Sequence, residues 1–195
     1  GVHRRQRQMC IRDRSYLIKY CCHTSIYVVI LNNIMRKIKR LPHKMLVQGK
    51  FKPRFPQKYK GDPSNIVFRS SWELTCFRYL DNNQNVLKWA SEEFFVPYKH
   101  PMTGKISRYF PDIWIKYKNK DGIITETVWE VKPKKYTIPP HIPKRKTRSW
   151  AYTAEQFVIN TAKWNAAKEY CRKRGQNFQI ITEDQLKHWS TIAPL

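Results

Sequence analysis

Between residues 45 and 195 the apolar positions recur with two different periods, and the switches between them outline a fold. Ile113, Ile115 and Tyr117 alternate with Trp114 and Lys116, and after Lys120-Asp121-Gly122 the alternation resumes over 125–131. A period of two marks strands with one face toward a core. The intervening three-residue loop carries Gly last, where so short a hairpin wants a positive φ. Upstream, Trp72, Cys76, Phe77 and Leu80 fall on one side of a 3.6-residue repeat and predict a helix over about 71–80. Ser70 and Glu73 form a capping-box pattern at its start. Residues 86–89, 94–98 and 106–110 read as short strands, with His100-Pro101-Met102-Thr103-Gly104 as turn chemistry before the last of them. A second helix, about 154–174, places Phe157, Thr161, Trp164, Ala167 and Cys171 on one side and stops at Gly175. Residues 178–182 read as a buried strand, and Thr182-Glu183-Asp184-Gln185 opens a short terminal helix. The order predicts an α/β fold, a mixed β-sheet flanked by helices.

The hairpin register has a chemical consequence. With residue 119 opposite 123, Asp112 faces Glu130 across two antiparallel strands, their Cβ atoms roughly 4.5–5.5 Å apart. Lys132 projects from the same face as Glu130. Two carboxylates held that close repel unless a positive group sits between them, and a divalent cation with oxygen ligands answers that need. Pro111-Asp112 followed by Glu130-Val131-Lys132 therefore reads as a metal-dependent nuclease centre. The bland alternative is a turn dipeptide and a solvated cross-strand Glu–Lys pair. Glu73 likewise has two readings, a helix cap alone or a third carboxylate near the metal.

Charge strengthens the first reading. Lys and Arg number 38 against 14 Asp and Glu, a formal net charge of +24. Such a surplus points to a polyanionic partner, most simply DNA. Plentiful aromatics (seven Trp, eleven Tyr, nine Phe) make the chain globular rather than a disordered basic tail. The five Cys form no C-x-x-C and no zinc-ligand spacing with His, and reduced thiols are the default. The apolar run 26–31 is far too short to span a membrane and lacks a cleavage site behind it, so no membrane or leader role is expected. Neither a Gly-rich phosphate loop nor a His at useful spacing from a Cys or Ser nucleophile is present.

Residues 1–44 are expected to be a non-native extension. Arg4 to Arg14 can be written as the translation of a sequencing-library adapter, with a basic nucleic-acid-binding arm as the alternative, and 15–44 read as translated upstream DNA, with Met35 or Met45 as initiator and Met45 favoured. The remaining residues, 45–195, are expected to be one nuclease domain with a basic N-terminal arm. They keep 27 basic against 13 acidic residues, a surplus of +14. In the arm, Lys50, Lys52, Arg54, Lys58 and Lys60 interleave with Phe51, Phe55 and Tyr59. That pattern suits phosphate contacts with base stacking, or equally an arm laid over the domain surface. Lys134, Lys135, Lys144, Arg145, Lys146 and Arg148 lie in or beside a Pro-rich loop directly after Lys132. They read as a clamp on the nucleic-acid backbone, with a solvated linker as the alternative.

The order of helix with Glu73, strand with Pro111-Asp112, strand with Glu130-Val131-Lys132, helix and strand resembles the PD-(D/E)xK superfamily. Within it the chain resembles the TnsA-like endonucleases. Gly49-Lys50-Phe51-Lys52-Pro53, Lys58-Tyr59-Lys60-Gly61-Asp62, Arg69-Ser70-Ser71-Trp72-Glu73, Ser91-Glu92-Glu93, Arg108-Tyr109-Phe110-Pro111-Asp112 and Glu130-Val131-Lys132-Pro133-Lys134 are similar to the head completion nucleases of T-even-like tailed phages. So is the Lys163-Trp164 helix. The resemblance implies a restriction-endonuclease-like fold and Mg²⁺-dependent DNA cleavage, with Mn²⁺ as a substitute, during head completion and head–tail joining. It implies that Asp112, Glu130 and the Val131 carbonyl bind the metal, that Lys132 positions or deprotonates the attacking water, and that Glu73 joins the site. Phage head and neck proteins are the implied partners and the host cytoplasm, or the virion, the implied location. The competing readings are a catalytically silent DNA-binding neck protein and a TnsA-like transposition or junction-resolving nuclease.

Overall fold

The computed structural model describes residues 48–192, so the residues read as a non-native extension lie outside the described part. In chain order the elements are β1 Gly49–Phe51, β2 Ile66–Phe68, α1 Ser71–Asn82, β3 Val86–Ser91, β4 Val96–Lys99 and β5 Ile106–Tyr109. They continue with β6 Ile113–Lys118, β7 Ile124–Val131, α2 Arg148–Arg172, β8 Asn177–Ile181 and α3 Glu183–Ile192. The central sheet runs β3–β6–β7–β8, and two-stranded ribbons β1–β2 and β4–β5 flank it. This is the expected mixed sheet: β3, β6 and β7 are antiparallel neighbours, whereas β8 lies parallel to β7. A parallel neighbour needs a long crossover, and α2 supplies it.

The hairpin forms in the register that the period-two pattern demands. Ile113 pairs with Trp129 and Lys118 with Ile124, while Asn119 N–H donates to Ile123 C=O across the turn. Gly122 adopts φ 80°, a conformation costly for any residue with a Cβ. The Asn119 side chain accepts from the Asp121 and Ile123 N–H groups and closes the loop from inside.

Each face of the sheet is covered for a reason visible in the residues. Ile113, Ile115, Trp129, Val131 and Ile181 form one core with Cys76, Phe77 and Leu80 of α1 and Leu186 of α3. Trp189 of α3 stacks between Tyr79 and Trp129, at centroid distances of 4.5 and 5.0 Å. Successive strand residues face opposite sides, so Val128 and Glu130 point away from that core. A second cluster joins Ala162, Ala166, Ala167 and Tyr170 of α2 to Val96, Tyr98 and Tyr109 of the β4–β5 ribbon and to Phe178. Burial on both sides explains why the alternation of β7 gives way to a run buried from Thr127 to Val131.

The basic arm settles partly into this core. Phe51 and Tyr59 pack edge-on against Trp89, which is fully buried. Buried Asp81 at the end of α1 accepts from Arg54 N–H (2.6 Å) and Phe55 N–H (3.2 Å). Lys58 Nζ donates to the carbonyls of Asp81 and Asn83. The alternative of an arm laid over the domain describes these residues better than stacking on bases does. Helix α2 begins six residues earlier than its apolar periodicity suggests. Thr147 caps it by accepting from Trp150 N–H, and Trp150 Nε1 donates to His141 C=O, which ties the Pro-rich loop to the first turn.

Candidate active site

The β6–β7 pairing ends at Ile113 and Trp129, one step short of Asp112 and Glu130. Asp112 sits on the bend before β6, and its Oδ2 accepts from Val131 N–H at 2.7 Å. That bond continues the ladder through a side chain and points the carboxylate at the end of β7. Glu130 is buried. Its Oε2 accepts from Tyr109 Oη at 2.6 Å, and its Oε1 lies 3.2 Å from Lys132 Nζ. Asp112, Glu130 and Lys132 are thus brought together, as the register reasoning anticipates.

Electrostatics at this point are strained. Asp112 keeps some exposed surface, yet desolvation of its carboxyl, reinforced by the Glu130 charge and later Glu73, drives its pKa well above the usual carboxylate range. The Val131 N–H and Lys132 oppose this without overcoming it. Burial pulls the Lys132 ammonium down, but Glu130, Asp112 and Glu73 together lift its pKa above the ordinary lysine value. Tyr109 is pushed far up by burial and then by Glu130, so it remains a hydroxyl donor.

Glu73 lands at the start of α1 as a capping-box residue. Ser70 Oγ donates to its Oε1 and Arg69 N–H to its Oε2, both at 2.8 Å, while its own N–H donates to Ser70 Oγ. Both oxygens are engaged, although its charge still reaches Asp112 and Lys132. Among the described residues no group of three or more His, Cys, Asp or Glu converges as a ready-made metal cage. Asp112 and Glu130 nevertheless fit a small hard cation. They are neighbouring oxygen donors, burial and the Glu130 charge disfavour ionisation of Asp112, and Mg²⁺ commonly uses one or two carboxylates with water completing the shell.

Tyr109 and three further neighbours, Lys163, Glu92 and Arg69, lie outside the sequence-based residue set. Lys163 of α2 reaches toward the carboxylates with its Nζ over the rings of Tyr98 (5.9 Å) and Tyr109 (5.7 Å). Burial lowers its pKa, with Lys132 adding to the depression while Glu130 and Asp112 oppose it. Glu92 has a positive φ of 54°, rare for a residue with a side chain, and its N–H donates to Asp112 C=O. Its carboxylate pairs with the Arg69 guanidinium. Nothing in a single sequence marks Lys163, because it stands thirty-one residues past Lys132 on another element. The only signal is the resemblance of the Lys163-Trp164 helix to a known family.

The basic residues after Lys132 separate into two groups. Lys134 is committed to α3, its N–H donating to Glu183 and its Nζ pairing with Asp184 at 2.8 Å. Lys135 lies exposed over the Tyr136 ring. Lys144, Arg145, Lys146 and Arg148 are exposed to solvent.

A family model described as the TnsA-like endonuclease N terminal matches residues 83–183, a stretch that contains Asp112, Glu130, Lys132 and Lys163 but not Glu73. The chain is also similar to the head completion nuclease of Enterobacteria phage T4. The two are 41% identical over 150 residues, covering 73% of this chain and 95% of that protein. The chain therefore belongs to the TnsA-like endonuclease family and is a homologue of the T4 head completion nuclease.

Proposed function

We propose that this protein is a Mg²⁺-dependent DNA endonuclease that acts in phage head completion and in joining heads to tails. The observation that carries the chemistry is the buried opposition of Asp112 and Glu130 beside Lys132. A purely structural DNA-binding protein has no use for an arrangement that burial and repulsion make costly. The biological setting rests on the likeness to the T4 protein over nearly its whole length.

Asp112, Glu130 and the Val131 carbonyl would hold Mg²⁺, with Mn²⁺ as a substitute. A cation held there would supply Lewis-acid polarisation of the phosphate and a lowered pKa for water. The protein's own side chains do the rest. Tyr109 fixes one oxygen of Glu130 by its hydrogen bond, leaving the other toward Lys132. Lys132 is held as an ammonium and so acts as a donor that orients the attacking water and a phosphate oxygen. Glu73 contributes charge from the helix start while capping α1. The exposed Lys144, Arg145, Lys146 and Arg148 grip the DNA backbone and keep the strand in line.

Incubation of the protein with linear and circular DNA, in Mg²⁺, in Mn²⁺ and in EDTA, tests this directly. Cutting of both substrates is expected with either metal and none in EDTA. Undiminished cutting in EDTA removes the metal centre.

A further inference from the structure

Immediately before Asp112 the chain leaves an aromatic surface bare. In the β4–β5 ribbon, Val96 pairs with Tyr109 and Pro97 with Arg108. Val96, Tyr98 and Tyr109 turn inward onto α2. The opposite face carries Pro97, Lys99, Ile106 and Arg108, all exposed. One step beyond the strands, the same register sets Phe95 beside Phe110, with ring centroids 6.0 Å apart and planes tilted by 54°. Each is 46% exposed, a large apolar area to leave in water. The Arg108 guanidinium lies over the Phe95 ring at 5.7 Å. Phe110 and Asp112 are two residues apart, so at most ~7 Å of backbone separates this surface from the candidate catalytic carboxylate.

We propose that the outer face of the β4–β5 ribbon is a stacking platform for an unpaired base, and that the preferred substrate is DNA with a single-stranded or frayed stretch beside the cut. The inference rests on the nuclease reading and specifies its substrate. Arg108 lies over the Phe95 ring, while Phe110 keeps nearly half of its surface exposed beside it, and a flat base covers such a ring more completely than an aliphatic side chain does. A base inside a duplex is already stacked on both sides, whereas an unpaired or terminal base has a face to offer. Arg108 and Lys99 supply cations for the adjoining phosphates, and the strand residues of this face, Pro97, Lys99, Ile106 and Arg108, include no carboxylate. Its continuity with Asp112 places a stacked nucleotide next to the scissile bond rather than at a remote surface.

The test uses the full chain and two DNAs of equal length, one fully paired and one with a single-stranded overhang carrying 2-aminopurine. In EDTA, overhang DNA is expected to bind more tightly than duplex, with the 2-aminopurine fluorescence quenched by stacking. Phe95→Ala and Phe110→Ala should each weaken overhang binding about 5- to 100-fold and relieve the quench, leaving duplex binding and Tm unchanged. Phe110→Leu, which keeps apolar bulk but no flat ring, should behave as Phe110→Ala does. In Mg²⁺ the preference for cutting overhang over duplex should collapse in the same variants. Equal wild-type affinity for both DNAs, or equal weakening of both by the variants, overturns the platform. So does an unchanged quench in all variants, which returns the face to a protein partner. A quench that is lost as expected while no DNA is cut in Mg²⁺ supports the platform and sinks the nuclease reading instead.

Discussion

Burial and the neighbouring Glu130 hold the Asp112 carboxyl well above the usual carboxylate range, so the folded protein without metal is penalised for keeping this group charged. The unfolded carboxyl ionises near pH ~3.9 and the folded one only at higher pH. The penalty is therefore absent below the unfolded value, grows as pH rises toward the folded value and is complete above it. Asp112→Asn removes the charge while its side-chain oxygen still accepts from Val131 N–H. At pH 7.5 in EDTA this variant should melt higher than wild type, and the gap should close at acid pH. Adding Mg²⁺ should raise the wild-type Tm and leave the variant unmoved, with cleavage lost; a wild type indifferent to Mg²⁺ argues against Asp112 as a ligand. Lys163 presents the complementary case, a cation seated on Tyr98 and Tyr109 with its charge disfavoured by burial. Lys163→Met keeps the length and the ring contacts, so Tm should hold while cleavage falls on the order of a hundredfold, as when one transition-state donor is removed. Cleavage at the wild-type rate would make Lys163 a packing residue. At this scale Asp112, Glu130 and Lys132 were readable because two short sequence distances and one register bring them together. Lys163 was not, because its position depends on how α2 packs on the β4–β5 ribbon.

Elements differed in legibility for equally physical reasons. The β6–β7 hairpin was plain because an exact period of two and a glycine at the positive-φ position leave one register that buries Ile113, Ile115 and Trp129. Helix α1 was plain because Ser70 and Glu73 announce its start and Cys76, Phe77 and Leu80 its buried side. The β1–β2 ribbon was hidden, since two three-residue strands separated by a Pro-punctuated basic stretch carry no periodicity of their own. Its partner surfaces, Phe77 and Trp89, lie well downstream. The early start of α2 was hidden by the prolines and positive charges that precede it and the absence of an acidic residue in its first turn. What fastens the arm is specific enough to test. Asp81 receives two backbone N–H groups from residues 54 and 55, and removal of its side chain leaves both without that partner. Asp81→Ala should cost ~1–3 kcal/mol in denaturant unfolding and raise protease sensitivity around residues 52–60. Cleavage measured well below Tm should remain near wild type, because Asp81 touches none of the site residues. A stability change below a few tenths of a kcal/mol would mean that the aromatic contacts of Phe51 and Tyr59 hold the arm unaided.

Over the whole molecule the surplus of positive charge has to be apportioned, and the fold does this unevenly. Lys58 is spent on helix-end carbonyls, Lys60 lies over the Trp114 ring, Lys134 pairs with Asp184, and Arg172 and Lys173 pair with Glu169 on α2. Lys144, Arg145, Lys146 and Arg148 are exposed at the start of α2, on the segment that begins beside Lys132 and is pinned by the His141–Trp150 hydrogen bond. A basic cluster so placed and so restrained can meet the phosphates on either side of a scissile bond at little ordering cost, which a free linker cannot. Each phosphate neutralised by such a group releases condensed counterions, and log K falls against log salt by about 0.9 per contact on duplex DNA. Neutralising the four residues together, as K144Q, R145Q, K146Q and R148Q, should therefore make the salt slope shallower by roughly two to four. The loss should be the same for unrelated sequences, since phosphates carry no base identity. Tm should stay within a degree or two, because none of the four takes part in an ion pair among the described residues. Titration of wild type and the quadruple variant against two unrelated duplexes from low to physiological salt provides the measurement. Parallel slopes would show that the segment is a solvated linker and would shift the search for the phosphate grip to the basic residues of the arm.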